Sequence, residues 1–111
     1  MDLYPTFSEL AGLESPADWT DGKSLVPLIN NPELEWKEPV YPRYILGNSI
    51  VTENHIYSEF MRSRKDCTIV SNMLYDHRSD PDENENISGL EENLALCDSL
   101  SLKMNRIHLG K

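Results

Sequence analysis

The densest run of potential ligands is "DHRSDPDENE" at residues 76–85, where side-chain oxygens crowd closely enough to suggest calcium. An EF-hand loop takes carboxylates or amides at positions 1, 3 and 5, Gly at 6 and Glu at 12. With Asp76 at position 1, Arg78 falls at 3 and Pro81 at 6, so the pattern fails and a solvated turn is the better reading. Asp76-His77, or His55 or His108 as a base, could serve nucleophilic catalysis only with a nucleophile in reach of an oriented base. No Ser or Cys stands in an elbow such as G-x-S-x-G. The three histidines therefore read as surface residues: one in a turn, one beside the acidic loop, one at a helix end.

Cys67 and Cys97 form no CxxC and have no histidine at ligand spacing, which excludes a zinc site. Free, half-buried thiols are favoured over a single disulfide. The glycines never cluster into a phosphate loop. Asn86-Ile87-Ser88 fits the N-x-S glycosylation pattern, which has meaning only in a secretory pathway. Arg62, Arg64 and Lys65 are the one tight basic group; they could grip an anion, but in a loop beside a strand they more simply keep an edge soluble. The net charge is −9, with Asp76, Asp80, Asp82, Glu83, Glu85, Glu91 and Glu92 close together against Arg78 alone. Such a balance argues against nucleic acid, whose phosphates need a basic face.

The elements that must position these residues follow from periodicity and punctuation. "MDLYPTFSELAGL" reads as a complete helix: Asp2 as cap, Pro5 in the first turn, Leu3, Phe7, Leu10 and Ala11 as an apolar stripe, and Gly12 with Leu13 as a Schellman stop. Pro16, Gly22 and Pro32 punctuate the next segment, which leaves one short helix capped by Ser24 with Leu25, Leu28 and Ile29 as its buried side. Trp19 and Trp36 are expected to pin this loop to a surface. Residues 40–46, 49–52, 55–61 and 68–75 are rich in β-branched and aromatic side chains, and "TEN" at 52–54 supplies a hairpin turn, giving a three- or four-stranded antiparallel meander. Ser88 and Glu91 form a capping box for a last helix with Leu90, Leu94, Cys97, Leu100, Met104 and Ile107 on one side, and Lys103, Arg106 and His108 at its end. The fold class is α+β, with the last helix covering the sheet. No run reaches the ~20 apolar residues of a membrane span, and no leader pattern assigns a compartment.

The order of these segments resembles a known family. "MDLYPTFSELAGL" followed by "DGKSLVPLI" is similar to the D-[LI]-x-P-T-[LF]-x-x-L-A-G-[LI] and D-G-x-S-L-x-P-L-[LI] segments of the type I sulfatases. "YPR", then "GNSIVTENHIYSEF" and "MLYDHRSDPDENENIS", resemble that family's restart strand, M-G-Y-S-I-R-T-x-x-Y-R-Y-T-E-W, and its E-L-Y-D-L-x-x-D-P-x-E-x-x-N-L segment. The nearest flavour is the iduronate-2-sulfatase and choline-sulfatase-like branch. Asn48 and Val51 depart from the common Tyr and Arg of that strand.

The resemblance implies that residues 1–36 are the tail of a catalytic α/β domain and residues 37–111 the C-terminal subdomain. The first helix would then be left from a larger domain. It implies a parent that hydrolyses sulfate esters of a small molecule or glycan with a formylglycine made from the cysteine of C-x-P-S-R, and with calcium. Neither Cys67, followed by "TIVS", nor Cys97, followed by "DSLS", matches that motif. No catalytic or metal residue is therefore carried over, this chain alone is expected to be inert and without a cofactor of its own, and its partner would be the missing catalytic domain. Arg43, in "YPR", is the one substrate-binding candidate, since that segment approaches the family's cleft. The competing expectation is an independent, non-catalytic interaction domain. The stripe Leu3, Phe7 and Leu10 distinguishes the two: buried within the monomer if autonomous, uncovered if a larger domain is its partner.

Overall fold

The computed structural model describes residues 1–14, 20–36 and 38–109, apart from the side chains of residues 108 and 109. Pro16 and Trp19 thus lie outside the described residues, as does the side chain of His108. The chain divides into two compact units, Met1–Trp36 and Lys37–Lys111.

In the first unit, helix α1 spans Leu3–Leu10 and helix α2 spans Val26–Asn30. The Schellman stop is present in full. The Leu13 N–H donates to Ser8 O at 2.9 Å and the Gly12 N–H to Glu9 O at 3.1 Å, with Gly12 at φ +68°. Glycine is the residue that takes this left-handed conformation without a Cβ penalty.

The start of α1 differs from the sequence expectation. A capping side chain needs a non-helical backbone behind it, but Asp2 has helical angles and makes no cap bond. Its Oδ1 instead accepts from the Lys23 N–H at 3.0 Å. Thr6, 4% exposed, does a related job: its Oγ1 donates to Asp2 O at 2.6 Å and accepts from the Leu25 N–H at 2.8 Å. Ser24 Oγ accepts from the Val26 N–H at 3.2 Å at the head of α2. Only Pro5 and Thr6 of α1 are buried, whereas Leu3, Phe7 and Leu10 remain 61%, 62% and 59% exposed.

In the second unit four strands form an antiparallel sheet in the order β1-β2-β3-β4: Arg43–Tyr44, Gly47–Val51, His55–Met61 and Ile69–Asp76. The β2–β3 turn is the expected one, closed by the Thr52 N–H on His55 O at 2.8 Å and by Thr52 Oγ1 accepting from the His55 N–H at 3.1 Å. The register Ile50↔Tyr57↔Leu74 puts three apolar side chains on one face. Helix α3, Leu94–Leu109, covers that face with Cys97, Leu100 and Met104. Ile50, Leu74 and Met104 are fully buried. Each such side chain contributes about 1.5–3 kcal/mol relative to exposure.

Two features of α3 correct the sequence reading. No capping box forms. A 3-10 turn, Glu91–Asn93, leads into the helix, and Ser88 is used elsewhere, its Oγ donating to Asn72 O at 3.2 Å. The buried stripe is also shorter than expected, because Leu90, Leu94 and Ile107 are exposed. The helix meets the sheet at β2 and β3, and its core contacts run from Cys97 to Met104.

β4 is an edge strand, and its middle is closed by side chains. Asn86 Oδ1 accepts from the Leu74 N–H at 3.0 Å and Asn86 Nδ2 donates to Asn72 O at 3.1 Å, while the Ile87 N–H donates to Leu74 O at 3.0 Å. The carboxamide thereby stands in for a neighbouring strand's peptide groups, a protection that exposed edges require.

Candidate functional site

Strand alternation that places Ile50 and Tyr57 under α3 also places Asn48 and Glu59 there, two residues away on the same face. The register Arg43↔Asn48↔Glu59 aligns these polar groups across β1, β2 and β3. Beyond the apolar core the floor of the sheet therefore turns polar, and a groove of about 920 Å³ opens over it. Arg43 lines it from β1, Ser101 and Asn105 from α3, and Arg64 and Cys67 from the loop between β3 and β4.

That loop is a built turn. The Asp66 N–H donates to Ser63 Oγ at 2.9 Å, the Ser63 N–H to Asp66 O at 3.1 Å, and the Arg62 N–H to Thr68 O at 3.0 Å. Asp66 Oδ1 also accepts from the Thr68 N–H at 3.1 Å and from its hydroxyl, which hold the Asp66 carboxyl below the usual range. Arg62 pairs with Asp66 at 3.8 Å. Arg43 and Arg64, both exposed, make no ion pair among the described residues.

The floor is acceptor-rich. Glu59 is 6% exposed, and its Oε1 accepts from the Tyr57 hydroxyl at 3.0 Å. Burial is the main reason that the Tyr57 phenol is pushed up to about 12, with the neighbouring Glu59 adding to it and the Asn72 amide opposing. Asn48 Oδ1 is buried with no hydrogen-bond partner among the described residues. Asn105 Nδ2 donates to Ser101 Oγ at 3.3 Å. Arg43 and Arg64 bring two guanidiniums to the rim, the groups an anion would meet, whereas the acceptors of the floor suit hydrogen-bond donors. Among the described residues no serine or cysteine of the groove is hydrogen-bonded to a base.

The other sequence candidates are placed apart. His55 Nε2 lies 3.5 Å from Asp76 Oδ2, and His77 Nε2 lies 2.8 Å from Glu83 Oε1. Arg78 grips Asp76 in a fork, Nε to Oδ1 at 2.9 Å and an amino nitrogen to Oδ2 at 2.6 Å. Asp80 accepts from Asn84 Nδ2 at 3.1 Å and from the Glu85 N–H at 2.9 Å. These carboxylates are engaged by protein donors, and no cluster of three or more metal-binding side chains occurs among the described residues. The acidic loop does not fit calcium. Nor do the thiols fit a formylglycine: Cys97 is 4% exposed in the core, and Cys67, though exposed in the groove, lacks the motif.

Sequence reasoning singled out Arg43 for the cleft of an intact enzyme rather than for this groove, and left Arg64 as an edge solubiliser. It missed Asn48 and Glu59 as floor residues, although their spacing of two from Ile50 and Tyr57 carried the signal.

The chain is similar to known proteins along nearly all its length. The family model described as N-sulphoglucosamine sulphohydrolase, C-terminal, matches residues 1–109. The choline-sulfatase of Rhizobium meliloti strain 1021 is 33% identical over 96 residues, 79% of this chain and 17% of that protein. The solved structure of BT4656 in complex with its substrate D-glucosamine-2-N,6-O-disulfate matches with a TM-score of 0.72 at 26% identity, over 96% of this chain and 23% of that one. A second structure, BT1596, described as a 2-O GAG sulfatase, reaches 0.72 at 21% identity over the same 96% and 23%, a likeness of fold alone. The chain thus spans a minor part of the length of each relative.

Proposed function

The chain belongs to the N-sulphoglucosamine sulphohydrolase C-terminal family, a family of sulfatase C-terminal domains, and from that membership we propose that it acts as the closing portion of an iduronate-2-sulfatase-like enzyme. In this reading residues 1–36 complete a catalytic α/β domain and residues 37–111 form the C-terminal subdomain. The whole enzyme splits a sulfate ester with water into an alcohol and sulfate, while this chain alone is inert. The observation that carries the proposal is the uncovered stripe of α1. Leu3, Phe7 and Leu10 are each about three-fifths exposed, a pattern that suits a helix whose partner surface belongs to a larger domain. An autonomous interaction domain would bury that stripe.

The purified chain, given an aryl sulfate and calcium, is expected to release no phenol above the blank. Measurable turnover overturns the reading. Within the intact enzyme Arg43 contributes to the pocket for the anionic substrate, supported by its exposed place in the groove beside Arg64. Arg43→Ala should raise KM there, and unchanged KM and kcat would remove Arg43 from the pocket.

A further inference from the structure

Asn86-Ile87-Ser88 carries the N-x-S pattern, and the sulfatase reading makes no use of it. Transfer of a glycan requires a free carboxamide and a free hydroxyl two residues on. Both are committed in this fold. Asn86 Oδ1 accepts from the Leu74 N–H at 3.0 Å and the Ser88 N–H at 3.1 Å, and Asn86 Nδ2 donates to Asn72 O at 3.1 Å. Ser88, 6% exposed, donates its hydroxyl to the same Asn72 oxygen at 3.2 Å. Asn93 Nδ2 donates to Ile87 O at 3.0 Å, which ties the middle residue to the turn before α3.

The stereochemistry of the amide sharpens the conflict. Oδ1 and Nδ2 both face β4, so the Nδ2 hydrogen that reaches Asn72 lies on the Oδ1 side of the amide. A substituent on a secondary amide nitrogen prefers that side, as the next Cα does in a trans peptide, and the opposite arrangement is the disfavoured cis form. A sugar on Nδ2 would therefore replace the hydrogen that bonds the strand.

We infer that Asn86 is an N-glycan acceptor only in the unfolded chain, and that the closed β4 edge and a glycan on Asn86 exclude one another. In the transfer, Nδ2 attacks the anomeric carbon of a lipid-pyrophosphate-linked oligosaccharide. The carbon–oxygen bond breaks, the lipid pyrophosphate leaves with the electron pair, and Nδ2 gives up one proton. Before folding, this step meets no obstacle. After folding, it must wait for residues 86–88 to leave the strand.

The test offers one oligosaccharyltransferase and one lipid-linked donor to a peptide of residues 80–92 and to the folded chain. The peptide should be modified, and the folded chain at least about tenfold more slowly, at a rate set by local opening. Chain synthesised behind an added cleavable secretory leader, in the presence of transferase-bearing microsomes that import it, should yield a glycosylated fraction whose Leu74 amide exchanges rapidly with solvent. Modification of the folded chain at the peptide's rate overturns the inference. So does a glycosylated chain with Leu74 protected as in the unmodified one, or a peptide that the enzyme ignores.

Discussion

Asp76 and Tyr57 bias stability at opposite ends of the pH scale. The fork from Arg78, aided by the Arg78 N–H and by His55, holds the Asp76 carboxyl far below the usual carboxylate range. Above the ordinary value of about 4 the ionised group stabilises the fold in full, and the contribution drains away as pH falls further, because the unfolded chain takes up the proton first. Urea midpoints of the native chain and Asp76→Asn should differ at pH 6 and converge as the pH drops from about 4 toward 2. The gap is modest, since Arg78 is exposed and water screens the pair; a gap independent of pH contradicts the assignment. Tyr57 runs the other way. Its neutral form is favoured up to about 12, so its contribution is complete below the ordinary phenol value of about 10 and is lost between the two. Tyr57→Phe should flatten the alkaline loss of stability over that window, measured by circular dichroism in urea. At Gly12 the left-handed φ makes Gly12→Ala cost about 1–2 kcal/mol in the helix stop, to be read as faster amide exchange at Leu13 in the intact enzyme of the proposed function, where a larger domain covers α1.

At the scale of elements, α3 is held by its middle. Met104→Ala removes a fully buried side chain and should cost about 2–5 kcal/mol in a urea titration, whereas Leu102→Ala, on the exposed side, should stay within about 0.5 kcal/mol. The strands and the hairpin turn were legible because β-branched runs broken by "TEN" leave few alternatives, and Gly12 announced its own stop. The start of α3 was not. Ser88 and Glu91 have the spacing of a capping box, but the Ser88 hydroxyl is worth more on the otherwise open β4 edge, a contact between residues 16 apart that no local pattern reports. The lining of the groove was legible only in part for a similar reason. Arg43 came from a motif, while Asn48 and Glu59 become neighbours only through cross-strand register.

For the molecule as a whole, the two units differ in how much they can bury. Met1–Trp36 is shorter than the ~40 residues below which a chain seldom folds without a metal, a disulfide or a partner. Its α1 amides should exchange close to the unstructured rate, while those of Ile50, Tyr57 and Leu74 are retarded by orders of magnitude, in one hydrogen-exchange experiment. Equal protection in both would show a self-sufficient first unit. Phe7→Glu, which charges the uncovered stripe, should lower any concentration-dependent association in sedimentation and leave the protection of the second unit unchanged. The thiols add a different opportunity. Cys67 stands exposed and Cys97 is enclosed between sheet and helix, its thiol pushed up chiefly by burial. An alkylating reagent will mark Cys67 in every molecule and Cys97 only in molecules whose core has opened. The ratio of doubly to singly labelled masses after a timed pulse then counts unfolding events, with no dye, tag or substitution added to the chain.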